Sequence, residues 1–213
     1  MADRRDIAAG WMALLVTALL QLALPEELSA GPSWASVAVV GALALIGLLT
    51  PHHESWLRFH HAVGLLSLGL VTAVLAWSMV ALAAGLLAKR GAPAAILASA
   101  GLLWASNVLV FAVWYWRLDE GGPHRRSARR FHESGAFLFP QMSMDEAARR
   151  AHGLTHWRPG FVDYLFLAFN TSTALSPADV PVLARWAKLL MMLQSAISLT
   201  TLALVAARAV NVL

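Results

Sequence analysis

Residues 62–88 contain no charged side chain, and Lys89 and Arg90 follow at once. At 1.5 Å per residue, a helix over that stretch is about 40 Å long. The hydrocarbon of a bilayer is about 30 Å thick, so a helix this long and this apolar reads as a membrane span. Three further stretches read the same way: Ala8 to Leu24, stopped by Pro25; Trp34 to Leu49, stopped by Pro51; and Pro93 to Trp116, entered at a proline suited to a first helical turn. The linkers Pro25–Ser33 and Lys89–Ala92 are short. Spans one and two, and spans three and four, are therefore expected to be antiparallel neighbours.

Composition supports that class. The chain is 59% hydrophobic and 13% charged, against about 45–50% and about 25% for a soluble domain. It has no cysteine, which excludes disulfides, thiolate metal sites and a cysteine nucleophile. The sequence pI of about 10.3 would suit nucleic acid. The arginines, however, gather in connecting segments, which is the pattern of membrane orientation, and no nucleic-acid partner is expected. Arg4 and Arg5 precede the first apolar stretch as in a signal peptide, but no clean small-x-small cleavage site follows, so the first span is expected to be retained. No Gly-rich nucleotide loop, HExxH motif or internal repeat is visible. No enzyme is expected, with no catalytic residue, cofactor or metal site.

After the fourth span comes a polar stretch of about forty residues, 117–160, with eight of the sixteen basic residues. Ser143-Met-Asp-Glu146 reads as a capping box, predicting a short surface helix from Met144 to His152. Phe137-Leu-Phe-Pro140 is an apolar knot suited to docking on the spans. The basic run Arg125 to Arg130 suits a surface of anionic lipid.

Phe161 to Ala174 is apolar, but it is short and its end is polar. The sequence NTSTALSPAD, residues 170–179, follows, and then a helix from about Leu183 to Val212. Irregular backbone at membrane depth is tolerated only where protein or a water-filled cavity covers it. The expected architecture is therefore an all-α membrane protein with five transmembrane helices plus one re-entrant, half-length segment resembling a pore loop, or six spans if that segment crosses. Three regions follow: four helices over 1–116, the basic loop 117–160, and the pore-loop-like segment with the terminal helix over 161–213. An ordinary sixth span ended by Pro177 is the plainer alternative, because hydroxyl residues are common at helix contacts in membranes.

The segment from Phe161 to about Leu193 resembles the pore module of two-helix potassium channels. The likeness rests on Phe169, Thr171, Thr173, the branched Leu175, Asp179 and Arg185, and covers about the last fifty residues. It implies a homo-oligomeric ion channel, four subunits favoured, with Thr171, Ser172, Thr173, Ser176, Pro177 and Asp179 at the pore. The sequence departs from the family where Gly-Tyr-Gly is expected, since Ser176, Pro177 and Ala178 stand there. Proline fixes its own φ and lacks an N–H, and potassium filters stack backbone carbonyls through glycine-dependent geometry. Hydroxyls and the Asp179 carboxylate would instead line a less selective path for inorganic cations. The whole chain also resembles an uncharacterised bacterial inner-membrane family, on Tyr164 to Phe169, Asp179-Val180 and Arg185. That likeness implies a multi-pass inner-membrane location in contact with lipids, and no activity.

On the last helix, Lys188, Met191, Gln194, Ser198, Thr201, Val205 and Arg208 recur at steps of three and four and share one face. Such a stripe suits either a wet lumen, with Gln194, Ser198 and Thr201 lining it, or a polar helix interface. Lys and Arg counts put the N-terminus and residues 117–160 on the cytoplasmic side, so a re-entrant loop would enter from the cytoplasm, opposite to potassium channels. Asn107 in the fourth span is expected to bond to a neighbouring helix, with Gln21 as a candidate partner. Trp77 and Trp104, in mid-span, are expected to pack inside. Asp163 suits the N-terminus of the short helix, or a pair with Arg185. His52, His53, His60 and His61 form a group that reads as an interfacial turn, with metal binding or pH sensing as alternatives. Two other functions stand beside the channel: a non-conducting scaffold or regulatory membrane protein, and a small-solute transporter, which would usually show an inverted repeat.

Overall fold

The computed structural model describes residues 4–49, 57–88, 92–123, 126, 135–176 and 179–210. Its helices are α1 (Arg4–Leu22), α2 (Ser33–Leu49), α3 (Leu57–Leu87), α4 (Pro93–Leu118), α5 (Glu146–Ala151), α6 (Phe161–Thr173) and α7 (Arg185–Val210). No strand occurs among the described residues, and one isolated antiparallel bridge joins Phe137 to Val182. Three helical stretches are long and apolar enough to cross a membrane: Phe59–Leu86, Ala94–Gly121 and Arg185–Ala206. Ala8–Leu22 and Ser33–Ile46 are shorter apolar helices.

The helix α4 is the hub. It packs against α1, α3, α6 and α7, and Leu103, Val110, Phe111, Ala112, Val113 and Tyr115 are all buried along it. Two glycines let neighbours close on its last turn. A Cβ at Gly10 of α1 would lie 2.5 Å from Cζ3 of Trp116, and a Cβ at Gly64 of α3 would overlap the Arg117 guanidinium. Bare backbone at these two points forms sockets for the Trp116–Arg117 pair. Arg117 is buried there, 5.1 Å over the ring of Trp11 and 5.7 Å over that of Trp116.

Contacts set the helix directions. Gly64 meets Arg117, and Trp114 Nε1 donates to Thr72 Oγ1 at 3.0 Å, so α3 and α4 are antiparallel. Trp11 shares the Arg117 level, and Ser78 Oγ donates to Gln21 Oε1 at 3.2 Å, so α1 runs with α3.

Several details differ from the sequence reading. The partner of Gln21 is Ser78 and not Asn107, because the two polar residues leave different faces of the bundle. The short helix α5 is capped by Asp145, whose Oδ1 accepts from Ala148 N at 2.7 Å, and not by Ser143. Ser143 instead closes the 3-10 turn Pro140–Met142. Trp77 is 56% exposed, since the neighbouring Ser78 takes the inward position. Trp104 does pack, edge-on to Phe169 with centroids 5.8 Å apart. The basic run 125–130 lies outside the described residues except for Arg126, as do His52 and His53. His60 is buried and His61 is exposed.

Candidate functional site

The C-terminal module is built on α6. Its 13 residues span about 20 Å, two thirds of a bilayer's hydrocarbon. At its start, Asp163 Oδ2 accepts from Gly160 N at 2.7 Å, satisfying a donor that the helix leaves open. One turn in, the Tyr164 hydroxyl donates to Asp119 Oδ2 at 2.6 Å. The other oxygen of Asp119 accepts from Ala136 N at 2.5 Å. Arg126 Nη1 donates to the carbonyls of Trp116, at 3.1 Å, and Asp119, at 3.2 Å, and its guanidinium lies 5.1 Å over the Tyr164 ring. Asp119, Arg126 and Tyr164 are all buried. A buried carboxylate is stable only with such partners, so this cluster fixes the end of α4, the loop and the start of α6 to one another.

The apolar knot completes the clamp. Phe137 is fully buried among Tyr115, Phe139, Tyr164 and Trp186. Its backbone neighbours pair with the segment leading to α7: Leu138 N donates to Pro181 O at 2.9 Å, and Leu183 N donates to Ala136 O at 2.8 Å.

At the far end of α6 lies a second polar cluster. Asn107 Nδ2 donates to Ser198 Oγ at 2.8 Å and to Ser172 Oγ at 3.3 Å. Gln194 Nε2 donates to Ala168 O at 2.8 Å and to Ser172 Oγ at 3.0 Å, while its Oε1 accepts from the Tyr115 hydroxyl at 2.5 Å. Ser198 Oγ donates to Ser172 Oγ at 2.8 Å. Asn107, Ser172, Gln194 and Ser198 are at most 1% exposed. In an apolar bundle the alternative for each group is an unsatisfied dipole, so the cluster fixes the register of α4, α6 and α7.

The two clusters together give the course of the chain. Tyr164 and Trp186 flank the same ring of Phe137, whereas Ser172 meets Gln194 and Ser198. Thus α6 and α7 run in the same direction, side by side. Between them the chain leaves α6, turns, and returns to the end where α6 began. The turn uses Leu175 at φ 54°, a left-handed position normally given to glycine at a helix C-terminus.

The residues singled out from sequence divide into two sets. Thr171, Ser172, Gln194, Ser198 and Thr201 are buried within the single chain. Thr171 Oγ1 donates back to Leu167 O at 2.8 Å, and Thr201 Oγ1 reaches Met79 Sδ at 3.8 Å. Thr173, at the end of α6, and Ser176 and Asp179, on the segment after it, are exposed, and Pro177 lies outside the described residues. The inward stripe of α7 is therefore a helix interface in the isolated chain. Lys188, at its start, is exposed. The sequence gives no role to Asp119 or Tyr115, and places Arg126 in a basic run facing lipid headgroups, whereas here it is buried against Tyr164 and the end of α4. The available signal is Asp119, an acid directly after the Trp-Tyr-Trp-Arg-Leu end of α4, but its partners are remote in sequence. Among the described residues, no group of three or more His, Cys, Asp or Glu is arranged to hold a metal ion. Comparison with protein-family models, curated proteins and solved structures finds no match to this chain.

Proposed function

We propose that the chain is a multi-pass protein of the bacterial inner membrane with five spans, α1 to α4 and α7, and that α6 is re-entrant. In this reading, copies of the chain, four favoured, arrange the turn after α6 around an axis and pass inorganic cations. The observation that carries it is the course of the C-terminal module: a 13-residue helix lies parallel to the terminal helix, and its return segment comes back to the starting end. Apolar helices of spanning length support the membrane setting. Thr173, Ser176 and Asp179 are exposed in the single chain, on the side from which copies could meet at an axis, and acidic rings favour cations. No catalysis is assigned.

The test is reconstitution of purified oligomer in planar bilayers. Cation currents are expected, and Asp179→Asn should lower conductance or cation preference. Folded oligomer that stays silent would reject conduction. The absence of native cysteine allows a second test. Single cysteines at Thr173 and Ser176 should react with a membrane-impermeant maleimide from the side that also labels the 140–158 region.

A second reading, a non-conducting scaffold or regulatory protein, is favoured by one observation: Gln194, Ser198 and Thr201 spend their polar groups inside the chain. Silent bilayers together with a specific partner held by the loop would establish it.

A further inference from the structure

Gln21, Ser78 and Ser106 come from three different helices, and each is at most 1% exposed. Residue counts place them at similar depth. Measured from the Arg117 layer, where Trp11, Gly64 and Arg117 meet, each is roughly 15–20 Å along its own helix at 1.5 Å per residue. The directions agree, because α1 and α3 run together and α4 runs against them. One bond of this group is made within the protein, from Ser78 Oγ to Gln21 Oε1. Gln21 Nε2 and Ser106 Oγ have no hydrogen-bond partner, although both atoms are buried. Reversing the amide of Gln21 would not help, because one end would still face Ser78 and the other would be left.

We infer that a water molecule binds between α1, α3 and α4 at this level, accepting from Gln21 Nε2 and bonded to the Ser106 hydroxyl. An amide N–H and a hydroxyl supply one donor and one group able to donate or accept, and the remaining lone pairs on Ser78 Oγ and Gln21 Oε1 offer further partners. Two to four polar partners are what a buried water needs. The site is separate from the turn after α6 and does not rest on conduction. Ser106 stands about three helical turns before Arg117, which meets α1 and α3, and so shares that face of α4, whereas its neighbour Asn107 belongs to the cluster with α6 and α7. The α7 helix approaches the same level, where Thr201 meets Met79, the neighbour of Ser78. Polar side chains therefore form a layer across the bundle at the depth where the half-length helix ends.

The test uses the full-length protein in lipid nanodiscs and the sign of one substitution. In Ser106→Ala every ordinary effect favours alanine: it is the better helix former, and it removes an unsatisfied hydroxyl from an apolar interior. A dry site therefore gives an unchanged or higher unfolding midpoint. A water held by Ser106 gives a lower midpoint, because the substitution removes one of its partners. Gln21→Met and the double variant complete the measurement. Two residues holding one molecule give a double variant less destabilised than the sum of the single variants. An unchanged or raised midpoint in Ser106→Ala, or strict additivity with Gln21→Met, would overturn the inference.

Discussion

Replacement of Gln194 by leucine tests the C-terminal module most directly. Its side chain accepts one hydrogen bond from Tyr115 and donates two, to Ala168 O and Ser172 Oγ, with no exposure to solvent. Leucine has similar bulk, so the cavity and overpacking costs stay small. Side-chain hydrogen bonds within membrane proteins contribute about 0.6 kcal/mol on average and about 1.7 kcal/mol at most. Ser172 keeps Asn107 and Ser198, whereas the Tyr115 hydroxyl has Gln194 as its one partner among the described residues. Stranding that hydroxyl costs a further 1–3 kcal/mol, roughly. Gln194→Leu should therefore lower stability by about 2–4 kcal/mol. The assay is reversible unfolding in mixed micelles with a rising fraction of dodecyl sulfate, followed by tryptophan fluorescence. Tyr115→Phe removes the stranded group, so the double variant should recover about 1–2 kcal/mol relative to additivity. Ala196→Leu, two residues along on the exposed face of α7, should stay within about 0.5 kcal/mol of wild type. A neutral Gln194→Leu beside a damaging Ala196→Leu would refute the reasoning and put Gln194 on a face that its own chain does not cover.

Three other outcomes are expected. Asp119→Leu leaves the Tyr164 hydroxyl and Ala136 N without their acceptor, so it should cost about 2–4 kcal/mol and speed limited proteolysis within 117–160. Gly10→Ala puts a methyl group against Trp116 and should destabilise by about 1–3 kcal/mol in the same unfolding assay, with Trp116→Leu relieving part of the loss. Leu175 holds φ 54°, so Leu175→Asn, a residue that tolerates this conformation, should be neutral or stabilising, whereas the β-branched Leu175→Val should lower the unfolding midpoint by the equivalent of about 1 kcal/mol.

Much of the helical order was legible because apolar length is a local property. Pro25 and Pro93 bracket helices where the sequence places them, and α6 ends at Thr173, one residue short of the expected end. The polar stripe on α7 was legible too, as a face. Periodicity states which residues share a face and is silent about what the face meets. Gln194 and Ser198 meet α4 and α6, from Asn107 and Ser172. Ser143 and Asp145, two residues apart, both carry capping chemistry, and only the fold of the preceding 3-10 turn makes Asp145 the cap of α5.

Local pattern was enough to identify a chain of apolar helices, a basic connection, and a half-length segment ending in a polar turn. Each of these follows from side-chain hydropathy and backbone chemistry within a few turns of helix. Long-range contacts fixed the rest. The Asp119–Tyr164 bond and the bridge from Phe137 to Val182 return the chain to the end where α6 starts. The cluster of Asn107, Ser172, Gln194 and Ser198 determines that the stripe on α7 faces inward. A buried polar group gains stability only when its complement arrives in register, and those complements lie on helices distant in sequence. Spacing along one segment carries no record of them.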